Sequence, residues 1–265
     1  MIPTNHDLVF FNNIQQAHRQ SAIGAHAQSW LMFGRSVMSS SEFALAMRFR
    51  CEIWPTLASK QCTCGFQFVT DALDNYTHAL TCTDNVYSYI GRHNEIVRSI
   101  QRVVKAAGFD TQVEPTQFHG THSSHAAATA LADAKRPDIT VFTHESSPVV
   151  DVSVVTNTCR TYLSSDAAGR ITKKKNDKHK DNVEKIEGYT FYPLVLESSG
   201  AAAPELDTFA SHLSRSLPFG STKHFRQVLI HEVITALQRG NARILKHYFA
   251  RVMKSAQFGS PIFAA

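Results

Sequence analysis

Arg136-Pro137-Asp138-Ile139-Thr140-Val141-Phe142 and Pro148-Val149-Val150-Asp151-Val152-Ser153-Val154-Val155 are two β-rich runs, each carrying one aspartate. A lysine-dense segment, Lys173-Lys174-Lys175-Asn176-Asp177-Lys178-His179, follows them. Asp138 and Asp151 are thirteen residues apart, room for one strand, a short turn and a partner strand. Alternation along the second run puts Asp151 and Ser153 on one face and Val150, Val152 and Val154 on the other. A carboxylate in a valine-rich strand is costly if buried alone. A salt bridge or exposure is the ordinary answer, and a metal ion is the sharper one.

Outward from these strands the pattern stays α/β. Residues 165–187 read as a lysine-rich helix, and Thr190 to Glu197 as a further buried strand. A charge run on a helix is usually a solvated face. Here it comes directly after the acidic strands, so one lysine can turn back onto them. On the other side, Ile96, Val97, Ile100, Val103, Val104 and Ala107 mark an amphipathic helix from Arg92 to Gly108. Phe109 to Glu114 then reads as a strand. His119, His122 and His125 sit in a polar Gly/Ser/Thr loop and are read as solvated rather than as a site.

Further upstream, Cys62-Thr63-Cys64-Gly65 is followed by His78 and Cys82, the pattern C-x-C-x13-H-x3-C. Cys and His are preferred zinc ligands, and four of them permit a closed tetrahedral site. Gly65 allows the tight turn that lets two thiolates face one ion. His78 and Cys82 fall one helical turn apart on one face. The plainer alternative is a core histidine among small buried thiols. Four ligands leave no open position, so a zinc ion here is structural. Cys51 and Cys159 lack ligand-spaced partners and read as ordinary thiols.

The flanks read as helical. Residues 1–60 form an N-terminal helical region, with Ser39-Ser40-Ser41-Glu42 as an N-cap and first-turn acid. Thr222 to Gln257 reads as a helical hairpin broken at Gly240-Asn241, with a local basic excess. Arg239, Arg243, Lys246 and Lys254 form a stripe that fits a nucleic-acid backbone or a solvated face about equally. The domain plan is therefore 1–60 helical, 61–90 zinc knuckle, 91–218 core and 219–265 basic helices.

The 265 residues carry 27 Lys and Arg against 22 Asp and Glu, a modest basic excess that permits a polyanionic partner without demanding one. No run of 18 apolar residues occurs, so no membrane span is expected. Five cysteines, an odd number, without a basic-then-apolar leader argue against a disulfide framework and for an intracellular protein.

Two carboxylates on neighbouring strands suit Mg²⁺ or Mn²⁺, and a nearby ammonium suits a charged phosphate; together they suggest phosphodiester cleavage. The ordered set Cys62, Cys64, His78, Cys82; Arg92-His93-Asn94; Arg136-Pro137-Asp138; Asp151; and Lys175-Asn176-Asp177-Lys178-His179 resembles the PD-(D/E)XK nuclease superfamily. More narrowly, it resembles the restriction-like endonuclease domain of non-LTR retrotransposon proteins, over roughly residues 45–200. That resemblance implies a restriction-endonuclease-like mixed sheet flanked by helices. It further implies Asp138 and Asp151 as ligands of a catalytic Mg²⁺ or Mn²⁺, and Glu114 as a further ligand or water-orienting group. Ser153 stands where the superfamily has its lysine, and His179 where this group has a tyrosine, so the catalytic ammonium passes to Lys175 or Lys178. DNA as the partner, a mobile-element origin and a nuclear location are likewise what the resemblance implies. The rival from another class is an inactive zinc-containing nucleic-acid-binding module, with the acids spent on ordinary salt bridges. A third option is a structural protein whose basic helices bind a protein partner.

Overall fold

The computed structural model describes residues 15–22, 24, 26–31, 37–55, 61–69, 72–115, 136–159, 161–162, 166–217 and 222–258. His119, His122 and His125 lie outside these. After a helical run at 15–22, helix α1 spans Ser40–Arg50. Ser39 and Glu42 close a reciprocal capping box at its start, satisfying donors the first turn cannot bond internally. A bridge between Gln61 and Gln67 presents Cys62 and Cys64, with Gly65 at φ 94° in its turn. Helices α2 (Ala72–Thr81) and α3 (Val86–Ala106) follow, joined by one 3₁₀ turn.

The sheet comprises β1 (Asp110–Val113), β2 (Ile139–Phe142), β3 (Ser147–Val155) and β4 (Tyr189–Glu197), in that spatial order. The first three run antiparallel to their neighbours, whereas β4 lies parallel to β3 from Ser147↔Tyr189 to Val155↔Glu197. A parallel neighbour needs a crossover, and α4 (Ala167–Glu184) supplies it. Asp166 caps α4, its Oδ1 accepting from the Gly169 N–H at 2.8 Å.

Both faces of the sheet are covered. Val150 and Val152 of β3, with Leu194 and Leu196 of β4, join the main core with α3, α5 (Glu205–Arg215) and α6 (Thr222–Phe258). The alternate residues Val149, Val155, Phe191 and Val195 face α4. Asp151 therefore points at α4 rather than at water, and only 4% of it is exposed.

The C-terminal hairpin expected from Gly240-Asn241 does not form: α6 is one continuous helix of 37 residues. Gly240 is there for contact. A Cβ on it would stand 2.5 Å from Arg92 Cγ, so the missing side chain lets α3 and α6 approach closely. Asn241 is wholly buried, accepting from Arg92 Nη1 at 2.7 Å and donating to the Ser198 carbonyl at 2.8 Å. Tertiary bonding outweighs the roughly 1 kcal/mol that glycine costs a helix. Among the described residues, no helix is long and apolar enough to cross a membrane.

Candidate functional site

Two places gather groups capable of chemistry. The first is the Cys/His cluster. Cys62 and Cys64 come from the Gln61–Gln67 turn, His78 from the last turn of α2, and Cys82 from just beyond it. Their donor atoms all lie within 4.8 Å of one another. Cys62 Sγ and Cys82 Sγ are 3.9 Å apart, and Cys64 Sγ is 3.4 Å from His78 Nε2. Zinc–sulfur bonds of about 2.3 Å at tetrahedral angles would place two sulfurs roughly 3.8 Å apart, so the set could hold a metal such as zinc. All five cysteines are free thiols, so no disulfide competes.

The surroundings fit a metal thiolate. Tyr248, on α6, is fully buried and its hydroxyl finds no oxygen or nitrogen acceptor; it faces Cys62. Such an orphan costs about 1–3 kcal/mol unless a thiolate accepts from it. Arg251 Nη2 stands 3.7 Å from Cys82 Sγ, while its Nη1 donates to the Asp84 carbonyl at 2.6 Å. Phe66 stacks on the His78 ring, with centroids 3.9 Å apart. Burial opposes ionisation of Cys62, yet hydrogen bonds from Tyr248 and its neighbours hold its thiol down to about 6. Burial pushes Cys82 up to about 12, with the charge of Cys62 adding to it.

The second place is acidic. Asp138 stands just ahead of β2, and its N–H donates to the Val150 carbonyl at 2.8 Å. That bond draws its side chain onto β3, where Oδ2 accepts from the Val152 N–H at 2.6 Å. Its Oδ1 meets His93 Nε2, from α3, at 3.0 Å. Asp151, next to Val152, faces α4. There Ile171, Lys175, His179 and Val183 recur every four residues along the stripe that covers the sheet. Lys175 Nζ is 2.7 Å and His179 Nε2 is 3.4 Å from the same oxygen, Asp151 Oδ2. The Lys175 ammonium ion-pairs with that oxygen, whereas His179 Nε2 is buried and makes no hydrogen bond.

Electrostatics follow from this crowding. Burial raises the Asp151 carboxyl to about 6; Lys175 opposes the rise and the Asp138 charge adds to it. Burial works against protonating His93, but the Asp138 hydrogen bond and both carboxylates leave its pKa raised. Burial, then the Lys178 and Lys175 ammoniums, hold His179 down to about 4. His93, Ser153, Lys174, Lys175 and Lys178 line a cleft of about 600 Å³ beside the acids.

The structure thus brings Asp138, Asp151 and Lys175 together, with Lys178 exposed on the same cleft. Glu114 is exposed at the end of β1 with φ 48°, its N–H donating to the Asp138 carbonyl at 2.9 Å. Among the described residues, only Cys62, Cys64, His78 and Cys82 form a group of three or more ligating side chains, so Glu114 does not join the two aspartates in one.

Sequence reasoning assigned no role to the ring contacts of His93 and His179. The available signals were the Arg92-His93-Asn94 run at the start of the helix and the i, i+4 relation of Lys175 to His179. The basic stripe of α6 is partly consumed. Arg239 pairs with Glu95, and Arg243 with Glu42 at 2.8 Å and Glu95 at 3.4 Å, while Lys246 and Lys254 are exposed. No protein-family model matches the chain, and no curated protein matches it.

Proposed function

We propose that this protein is a divalent-metal-dependent DNA endonuclease with a restriction-endonuclease-like core, related to the domain carried by non-LTR retrotransposon proteins. The observation that carries the reading is the meeting of Asp138, Asp151 and Lys175 beside a lysine-lined cleft. The order of helix, three antiparallel strands, crossover helix and parallel fourth strand supports it. Mobile-element origin and a nuclear location enter through the resemblance alone.

Asp138 and Asp151 would hold Mg²⁺ or Mn²⁺. Such an ion, when bound, polarises a phosphoryl oxygen and lowers the pKa of its water. The chain's own groups do the rest. The Val152 amide and His93 fix the Asp138 carboxylate in one orientation. Lys175 sets an ammonium where a phosphodiester gathers negative charge, and Lys178 extends that field along the cleft. Glu114, whose N–H donates to the Asp138 carbonyl at 2.9 Å, would add a ligand or orient the attacking water. The Cys3His cluster, closed by four donors, serves as a structural staple, and exposed Lys246 and Lys254 give α6 sequence-independent contacts to a DNA backbone.

A second reading, a zinc-containing nucleic-acid-binding module without activity, is favoured by one fact. Lys175 already pairs with Asp151, and His93 hydrogen-bonds to Asp138. Nicking of supercoiled plasmid with Mg²⁺ or Mn²⁺ separates the two. Metal-dependent nicking that Asp151→Asn abolishes supports the nuclease; plasmid binding without nicking, unchanged by Asp151→Asn, supports the module.

A further inference from the structure

A second groove, sharing only Arg92 with the acidic cleft, follows the seam between α3 and α6 and encloses about 570 Å³. Its α6 wall carries Arg243, His247 and Arg251, spaced four residues apart and so on one face of that helix. Arg98 lines it from α3, as does Gly91, where an added Cβ would meet nothing within 4 Å. The carboxylates on the groove are Asp84 and Glu95. Glu95 is already paired with Arg239 and Arg243, and Asp84 accepts from Thr63 Oγ1 at 2.8 Å.

Arg92 is the residue that ordinary packing does not account for. It is 7% exposed, and among the described residues no carboxylate pairs with it. Burial lowers its pKa to about 10, which leaves the guanidinium charged at neutral pH. Nη1 donates to Asn241 Oδ1 at 2.7 Å, and the guanidinium lies 5.9 Å from the centre of the Tyr89 ring, but Nε finds no acceptor. The Arg251 Nε is likewise buried without an acceptor. Buried charges are ordinarily paired. A guanidinium offers its N–H groups in a rigid fork that matches the oxygens of a phosphate, so such an anion answers a cluster of this kind.

We propose that the α3–α6 groove binds a phosphodiester backbone, holding a nucleic-acid strand beside the acidic cleft with Arg92 as the partition between the two. The inference rests on nucleic acid being the partner, which both readings above share, and makes no use of catalysis. Charge complementarity selects the occupant: four guanidiniums and an imidazole outnumber two carboxylates, one of them already paired. Length selects a chain of phosphates over a single ion. The lining runs along α3 from Ser88 to Arg98, which at 1.5 Å per residue is about 15 Å.

The test measures binding of a fluorescent DNA duplex to the full chain across a range of salt, with no Mg²⁺ or Mn²⁺ added. Gly91→Glu sets a carboxylate in the groove where there is room for it, and Arg98→Gln removes one cation. Lys105→Gln, exposed on the same helix but outside the groove, makes the same change in net charge. Gly91→Glu and Arg98→Gln should each weaken binding about fivefold to tenfold and reduce the slope of log K against log salt by about 1. Lys105→Gln should change affinity by less than about twofold. Gly91→Lys, similar in bulk to the glutamate variant but opposite in charge, should bind at least as tightly as the wild type, and Arg98→Lys should restore the slope. Equal thermal midpoints verify that the variants are folded. Groove variants that bind like Lys105→Gln overturn the inference. So does inorganic phosphate or a polyglutamate peptide that binds in dependence on Gly91 and Arg98 while the duplex ignores both. A wild type that never nicks plasmid, with these variants behaving as expected, overturns the nuclease and leaves the groove standing. No duplex binding by the wild type overturns both.

Discussion

The Cys3His cluster and the acidic cleft both crowd ionisable donors, but they are assembled in opposite ways. In the cluster, four donors converge within 4.8 Å, and all come from the segment between Cys62 and Cys82. In the cleft, Asp138 and Asp151 come from neighbouring strands, Lys175 and His179 from the crossover helix, and His93 from α3. The cluster has only donors facing one another, with Arg251 and Tyr248 supporting from outside. The cleft already holds its counter-charge, because Lys175 stands at 2.7 Å from Asp151. A closed set of donors gains folding free energy from a permanent ion. An open set whose charges are balanced by a flexible ammonium can release that ammonium when a substrate or ion arrives.

The comparison breaks first at the cluster. If the cluster holds zinc, chelation, or Cys82→Ser, should cost on the order of 5 kcal/mol and lower the melting temperature by roughly 10–20 °C. A thermal melt unchanged by chelator would remove the cluster's structural role. At the cleft the opposite balance is expected. Asp151→Asn should reduce nicking by at least about 100-fold in a plasmid assay, while leaving the melting temperature at pH 7.5 unchanged or higher.

The sign at the cleft follows from its pKa. The folded Asp151 carboxyl is raised from 3.8 to about 6 by burial, so between those values the folded chain binds more protons than the unfolded one. Stability conferred by this group is present at low pH and is lost as pH rises from about 4 to about 6. Subtracting the Asp151→Asn stability profile from that of the wild type should isolate this fall. A flat difference would mean that Lys175 fully compensates for burial.

Two smaller effects probe the helices that carry both regions. Gly240→Ala drives a methyl to 2.5 Å from Arg92 Cγ and should cost roughly 1–3 kcal/mol in chemical denaturation. Gly91→Ala meets nothing within 4 Å and should be neutral or stabilising by up to about 1 kcal/mol. If the two substitutions behave alike, the close approach of α3 and α6 is wrong.

Much of the site was legible. Asp138 and Asp151 are brought together because thirteen residues suit a hairpin, and Lys175 turns back because it lies on the inner stripe of α4. The four zinc-type donors were legible because their spacing is local. Glu114 was drawn in by its position at a strand end, and its side chain is exposed there. The break at Gly240-Asn241 was misread because glycine and asparagine destabilise an isolated helix. Here the one is a contact surface and the other a buried hydrogen-bonding centre. Arg239 and Arg243 looked free because their partners, Glu42 and Glu95, are more than 140 residues away.

The sequence by itself determined the period of each element, the caps, the Cys/His ligand set and the presence of one acid on each of two strands. These depend on neighbours within a turn or a hairpin, where chain geometry leaves few choices. The tertiary structure alone decided which cations face the acids, that His179 and Asp151 meet without a hydrogen bond, and that α6 runs unbroken through the core. Those outcomes depend on burial, which removes water as the alternative partner and makes contacts between distant segments decide where each charge and each helix end settles.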